Sequence, residues 1–313
     1  MKILNTLLIG LGDIGMGYDL QTPKDLILTH AKAVSLDKDF KLVAGVDPNK
    51  NKRDIFEKKY KTITFPSISE VNLSEKIDFC IISCSTEYHF ASLKEVISVF
   101  HPSVILCEKP FTGAEDTAQQ IIDLCSKLNI DLFVNYFRRF DASTLQIKDI
   151  IDESKDNNIF ASVFYPKGLL HNGSHFFNLL EFWLGDYIRG SSLSVDRDTE
   201  DKMLVQFERG EALFYKITDT SSPCSIDIHG NFGKIRYENN GESIKYYKRI
   251  ESKTFEKEYI ISDDPIKINC QFTRYQGAVL DEIKKGNIDS AQSCKGSDAL
   301  KTIKSINNLL SNQ

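Results

Sequence analysis

Gly10, Gly12 and Gly15 follow the apolar run Leu7-Leu8-Ile9 in the spacing G-x-G-x-x-G. This spacing lets a strand turn sharply into a helix while backbone amides approach a pyrophosphate. Gly10 makes the turn, Gly12 leaves room for phosphates and Gly15 permits close packing of the helix on the strand. With Asp13 and Ile14 inside the turn, the helix N-terminus offers unpaired N–H groups and a partial positive charge to the anion. Asp47 ends the segment Lys41-Leu42-Val43-Ala44-Gly45-Val46, where a dinucleotide fold accepts hydrogen bonds from the adenosine ribose. The interval from Gly15 to Asp47 exceeds the usual ~20 residues, and an insertion before His30 accounts for it. A carboxylate at this tip repels a 2′-phosphate, which favours NAD over NADP. Lys50 or Arg53 supplies the opposing charge if the cofactor is NADP, and helix capping is the plain structural role of Asp47.

Two further polar stretches follow apolar runs. Ser83-Cys84-Ser85-Thr86-Glu87-Tyr88-His89 comes after Phe79–Ile82, and Glu108-Lys109-Pro110 comes after Val104–Cys107. In a parallel sheet, ligands bind beyond the carboxyl ends of the strands, so Ser83, Ser85, His89, Glu108 and Lys109 are placed to meet the cofactor. Tyr136, Arg138 and Arg139 lie where the texture of the chain changes and are placed to reach substrate or a cofactor phosphate. An ion pair with an acidic neighbour is the structural alternative for Arg139. Farther on, His171 and His175 stand four residues apart around Asn172-Gly173-Ser174. That spacing on a helix also suits a metal, but the Glu of the metalloprotease motif is missing and Gly173 weakens helix continuity, so no metal is expected.

The elements that must hold these residues alternate. Apolar runs at 7–9, 41–46, 79–82, 104–107 and 131–135 read as buried strands. Helical stretches at 30–36, 54–60, 90–99 and 114–128 lie between them, giving right-handed βαβ units and a parallel sheet. From Tyr136 the chain reads as a helix opening at Arg138 and running to Ser154, a strand at 160–165, and an amphipathic helix through Phe176, Leu179, Leu180 and Trp183 that stops at Gly185. Segments at 203–207, 212–217, 225–229, 234–237 and 244–247, separated by turns such as Glu208-Arg209-Gly210, predict an antiparallel sheet, and helices at 272–284 and 297–310 close the chain. The expected class is α/β. A Rossmann domain at 1–135 precedes an α+β domain at 136–313 with a large open, mostly antiparallel sheet.

The chain has 313 residues, 41% hydrophobic and 27% charged, with a formal net charge of -5. That length buries a large core, and the charge argues against nucleic-acid binding, which needs clustered Lys and Arg. No apolar stretch reaches membrane-spanning length, and the start leads into a strand, so a cytoplasmic protein is expected. Seven cysteines lack metal-ligand pairing and read as small buried thiols.

Together these landmarks resemble the Gfo/Idh/MocA oxidoreductase family. The resemblance is carried in order by Gly10-Leu11-Gly12-Asp13-Ile14-Gly15, Asp47, His89, Glu108-Lys109-Pro110, Tyr136 with Arg139-Phe140, Gly173-Ser174-His175, Trp183-Leu184-Gly185 and Gly230-Asn231-Phe232-Gly233. It implies hydride exchange between NAD, with NADP as the alternative, and a hydroxyl carbon of a sugar, polyol or nucleotide-linked sugar. It also implies a homodimer or homotetramer through the open sheet, with no nucleic-acid or membrane partner. By this resemblance His175 is the base that takes the alcohol proton and Lys109 stabilises the reacting oxygen. Tyr136, Arg139, His171 and Asn172 join them at the substrate. The family often has aspartate where this chain has His171, and another where it has Asn178. His171 is then an alternative acid or base, a substrate ligand, or a sign of a different reaction. Two rival expectations follow: an enzyme that recycles NAD without net redox change, and a dinucleotide-binding regulatory protein with a decayed site.

Overall fold

Short apolar strands alternating with helices build a parallel sheet in the first of two units. The computed structural model describes residues 2–23, 25–193, 202–286, 288–290 and 292–311. The first unit is Met1–Phe140 with Thr273–Leu300, and the second is Asp141–Phe272 with Lys301–Gln313.

The first unit contains β1 (Leu4–Ile9), α1 (His30–Leu36), β2 (Phe40–Val46), α2 (Lys50–Tyr60), β3 (Thr64–Phe65), β4 (Phe79–Ile82), α3 (His89–Phe100), β5 (Val104–Cys107), α4 (Glu115–Lys127) and β6 (Asp131–Val134). Its six strands are parallel in the order β3-β2-β1-β4-β5-β6, with the reversal of order between β1 and β4. All of β4 and the ends of β1 and β5 are buried, as a parallel sheet covered on both faces requires. This is the Rossmann arrangement, and it bears out the expected class.

In the second unit, α5 (Ala142–Ser154), β7 (Ile159–Tyr165) and α6 (Ser174–Leu184) precede a run of strands. These are β8 (Tyr187–Ser192), β9 (Lys202–Phe207), β10 (Gly210–Lys216), β11 (Ser225–Gly230), β12 (Gly233–Glu238), β13 (Ser243–Glu251), β14 (Tyr259–Ile261) and β15 (Ile266–Ile268). The nine described strands from β7 to β15 form one sheet, antiparallel except where β10 pairs β7. β7 alternates buried and outward residues, so only one face of the sheet is covered. That face packs on α6, whose Phe176, Phe177, Leu180 and Trp183 are fully buried with Phe207 and Phe214. The chain then adds α7 (Tyr275–Ile283) to the first unit, and α8 (Gly296–Ser311) contributes its residues from Lys301 to the second.

One expected element is corrected. The long helix expected to open at Arg138 instead begins at Ala142, because the Asp141 side chain caps it by accepting from Ser143 N, while Phe137–Phe140 forms a separate 3-10 turn. The helix expected at 30–36 is α1, His30–Leu36. A single helical turn follows Gly12, then a 3-10 turn at Gly17–Asp19, and the insertion closes on buried Asp19. Asp19 Oδ2 accepts from Leu28 N, Thr29 N and Thr29 Oγ1, and α1 rejoins the loop through His30 N to Ile14 O and Ala31 N to Gly15 O.

Gly10 has φ 91°, and a Cβ there would stand 2.4 Å from Cys84 N and 2.5 Å from Ser83 C. Neither backbone segment can yield cheaply. Gly10→Ala should therefore cost at least about 2 kcal/mol of stability, read as a lower urea midpoint at unchanged slope.

Candidate functional site

The carboxyl tips of the strands in the first unit are joined edge to edge by backbone hydrogen bonds. Gly10 N donates to Val46 O, Ser83 N to Ile9 O, Glu108 N to Ile82 O and Asn135 N to Cys107 O. Ser83 Oγ adds a bond to Gly10 O at 2.8 Å. Gly10, Ser83, Glu108 and Asn135 thus share one rim, centred on the reversal between β1 and β4 where doubly wound sheets hold ligands. At that point Met16 N and Gly17 N donate to Gly12 O, and Tyr18 N donates to Asp13 O. The N–H groups of Gly12, Asp13, Ile14 and Gly15 find no backbone acceptor among the described residues, which is the donor set a pyrophosphate requires. A Cβ on Gly12 would meet nothing nearer than Lys52 Nζ at 3.9 Å, so it would project into the open mouth of this loop. Gly15 is tight instead, with a Cβ falling 2.3 Å from Gly10 O.

Asp47 is buried and holds the glycine loop to the tip of β2. Its Oδ2 accepts from Leu11 N at 2.9 Å and its Oδ1 from Asn49 N at 2.8 Å. Each oxygen keeps a lone pair for a ribose hydroxyl. Of the basic residues singled out beside it, Lys50 pairs with Asp54 at 2.8 Å, and Arg53 donates to the carbonyls of Asp47 and Pro48. Sequence reasoning missed Lys52, whose ammonium lies 3.9 Å from Asp47 Oδ2 and is the charge nearest Gly12. The only signal for it was its place three residues after the N-cap Asn49.

Glu108 is a buried carboxylate that locks the tip of β5. His30 Nε2 lies 2.8 Å from its Oε1, Asn135 Nδ2 donates to the same oxygen, and Lys109 N donates to Oε2 at 3.2 Å. Burial pushes this carboxyl up, but the His30 hydrogen bond and charge, the Asn135 amide and the Lys109 charge outweigh it and hold it below the ordinary range. The backbone before Lys109 is therefore fixed from both sides. Glu108 also pushes up the phenols of Tyr18 and Tyr275, secondary in both to burial, so both remain hydrogen-bond donors. Neither tyrosine was legible as a site residue. His89 is buried, with Nδ1 at 3.1 Å from Pro110 O and Nε2 at 3.0 Å from Cys84 O. It braces the two loops against each other. Ser85 begins the 3-10 turn that leads into α3, its carbonyl accepting from Tyr88 N.

Tyr136 is buried, Arg138 stacks on the Phe137 ring, and Arg139 Nη2 lies 3.7 Å from Asp298 Oδ2. The charge of Arg139 is held within the first unit by this ion pair, the structural alternative weighed above.

In the second unit His171 and Asn172 fall in a wider π-type turn, Leu169–Gly173, where Gly173 N donates to Gly168 O. His171 is exposed, with Nδ1 2.9 Å from Asn172 Oδ1, while His175 in the first turn of α6 is buried. The two imidazoles thus differ in environment. Below His175, Asn178 Nδ2 donates to Thr302 Oγ1 at 3.0 Å, and Glu181 accepts from Thr302 and Ser305. Burial pushes Glu181 up to about 7, against the hydrogen bonds from Thr302 and Ser305 and the charge of Lys301. This buried acid was also missed, since a Glu within an amphipathic helix reads as exposed.

Residues 4–136 match the model of the GFO_IDH_MocA family, an oxidoreductase family with an NAD-binding Rossmann fold. An uncharacterized oxidoreductase of Schizosaccharomyces pombe is 28% identical over 91 residues, 29% of this chain and 24% of that protein, so the match spans about a quarter of the relative. Among solved structures, a putative myo-inositol dehydrogenase from Sinorhizobium meliloti 1021 superposes with TM-score 0.70 at 20% identity, covering 99% of this chain and 97% of that one. The WlbA dehydrogenase from Bordetella pertussis, in complex with NADH and UDP-GlcNAcA, gives TM-score 0.73 at 16% identity over 99% and 95%. Such low identities establish the shared fold.

The Glu181 carboxyl, ordinarily near 4.5, holds its proton up to about 7 in the folded protein. The folded state therefore binds the proton more tightly, and the resulting stabilisation is complete at low pH and lost as pH rises through 7. Glu181→Gln should remove a fall of about 3 kcal/mol in unfolding free energy between pH 5 and pH 8, measured by urea denaturation at both values.

Proposed function

We propose, from the match of residues 4–136 to the model of the Gfo/Idh/MocA oxidoreductase family, that this protein interconverts a secondary hydroxyl and a ketone on a sugar, polyol or nucleotide-linked sugar. The observation that carries this reading is the rim of the first unit. Amide donors of the glycine loop, the Asp47 carboxylate and the Glu108-locked Lys109 all stand at the strand tips where the sheet order reverses. Those residues fit a dinucleotide, and Lys52 tempers the repulsion between Asp47 and a 2′-phosphate, so NADP is accepted beside NAD. The substrate class is supported by WlbA, which was crystallised with a nucleotide-linked sugar acid.

When bound, the nicotinamide supplies or accepts the hydride. Lys109 donates a hydrogen bond to the reacting oxygen and stabilises its developing negative charge. His175 takes the hydroxyl proton during oxidation and returns it during reduction. His171, exposed beside Asn172, contacts the substrate. Tyr136, two residues beyond β6, is buried in the first unit. No helix is long and apolar enough to cross a membrane. No disulfide is found among the described residues, which suits the reducing cytoplasm.

The outward face of the second unit's sheet carries Phe160, Phe164 and Tyr215, with the last two rings 5.7 Å apart. Apolar surface on an open sheet favours a covered state, and a homodimer or homotetramer through this face provides it.

Lys109→Ala and His175→Ala should each lower turnover at least ~100-fold while NADH affinity, read by fluorescence titration, changes little. Full turnover by either variant removes that residue from the mechanism. Phe164→Glu should shift the molar mass in multi-angle light scattering from an oligomer toward the protomer, and an unchanged mass places the interface elsewhere.

A further inference from the structure

Asn135 follows the tip of β6 with its backbone tied to β5, Asn135 N donating to Cys107 O at 2.8 Å. Its side chain is buried, and Nδ2 donates both to Glu108 Oε1 and to Gln276 Oε1 on α7, the latter at 3.2 Å. His30 Nε2 meets the same Glu108 oxygen at 2.8 Å, and Glu108 Oε2 accepts from Lys109 N at 3.2 Å. Every one of these residues belongs to the first unit.

Counting hydrogens fixes the orientation of both amides. An ionised carboxylate only accepts, so the end of the Asn135 amide that meets Glu108 is Nδ2. That nitrogen has two hydrogens, one for Glu108 and one for Gln276, which therefore turns Oε1 toward it. The arrangement leaves Asn135 Oδ1 and Gln276 Nε2 buried with no hydrogen-bond partner among the described residues. Buried polar atoms nearly always find a partner, so two orphans in one bonded pair of amides mark an orientation dictated by the Glu108 charge at the expense of stability.

We propose that Asn135 is a positioning residue for Lys109: its Nδ2 fixes the Glu108 side chain, and Glu108 Oε2 in turn fixes the backbone N–H of Lys109, from which the lysine side chain is aimed. This rests on the role given to Lys109 above. Without the Asn135 donor, His30 is the bond that remains at Oε1, and the carboxylate can turn away from Lys109 N. Asn135→Asp keeps the shape and sets a second carboxyl group against the first. Two carboxyl groups at this range share one proton, and the pair releases it well above the ordinary carboxylate range. At pH 6 the shared proton restores the donor, and at pH 8.5 its loss turns the bond into repulsion. The other groups facing Glu108 are His30 on α1, the Lys109 ammonium, the Cys107 thiol at the end of β5 and the phenols of Tyr18 and Tyr275. Burial pushes the thiol and both phenols up, so they keep their protons over this interval. Any titration of His30 occurs in the wild type as well.

The test is 1H–15N NMR on lysine-labelled protein without ligand, with Lys109→Ala assigning the backbone amide signal of Lys109. Wild type should show the downfield shift of an N–H bonded to a carboxylate at both pH 6 and pH 8.5. Asn135→Ala should move the signal upfield at both values, with solvent exchange about tenfold faster. Asn135→Asp should match wild type at pH 6 and Asn135→Ala at pH 8.5. On the substrate of the Lys109→Ala comparison, kcat should follow the signal, about tenfold lower wherever the downfield shift is lost, while NADH affinity changes little. A folded Asn135→Ala with the wild-type signal overturns the proposal. So does a folded Asn135→Asp whose signal is the same at both pH values; if one variant does not fold, the other decides. A moved signal with unchanged kcat supports the positioning chain and instead removes Lys109 from stabilising the reacting oxygen.

Discussion

The first unit depends on the contact of Gly10 with the Ser83–Cys84 backbone. A bare α-carbon lets two loops leaving adjacent parallel strands approach to a distance that a single methyl group would forbid. Because they approach so closely, Ser83 can bond both Ile9 O and Gly10 O, and the rim of strand tips continues unbroken from Val46 to Asn135. Asp47, Glu108 and Lys109 each take their position from that rim. The polar groups on it are satisfied largely by backbone partners, which makes them rigid before any ligand arrives.

Glu108 and Glu181 show how burial treats two carboxyl groups differently. Glu108 meets a histidine, an amide and a nearby ammonium, and these hold it ionised despite its burial. Glu181 is buried and meets two hydroxyls of α8, and desolvation prevails. The first serves as a fixed brace for the β5 tip. The second has a protonation state that changes near neutrality, on a helix that carries His175 one and a half turns away.

Similar accounting explains the insertion between Gly15 and His30. A long excursion at the start of a dinucleotide helix exposes helix-end donors, and buried Asp19 collects three donors from Leu28 and Thr29 to close it. The loop keeps its anion-facing amides although α1 starts later than the glycine spacing implies. The spacing of G-x-G-x-x-G specifies the turn itself. It does not specify how far the following helix lies along the chain.

The order of strands and helices in the first unit was legible because a parallel sheet buries both faces, leaving near-continuous apolar runs punctuated by glycine and polar turns. The open sheet was legible from period-two alternation, and Gly10 and Asp47 from their place after such runs. The partners of charged side chains were not legible. Lys52 rather than Lys50 or Arg53 faces Asp47, Arg139 spends its charge on Asp298, and Glu108 meets His30 and Asn135 from distant segments. Local pattern encodes which face of an element is apolar, and that the sequence determined alone. Which polar groups meet, and what burial does to their protons, depends on distances between segments far apart in the chain, and only the tertiary structure decided it.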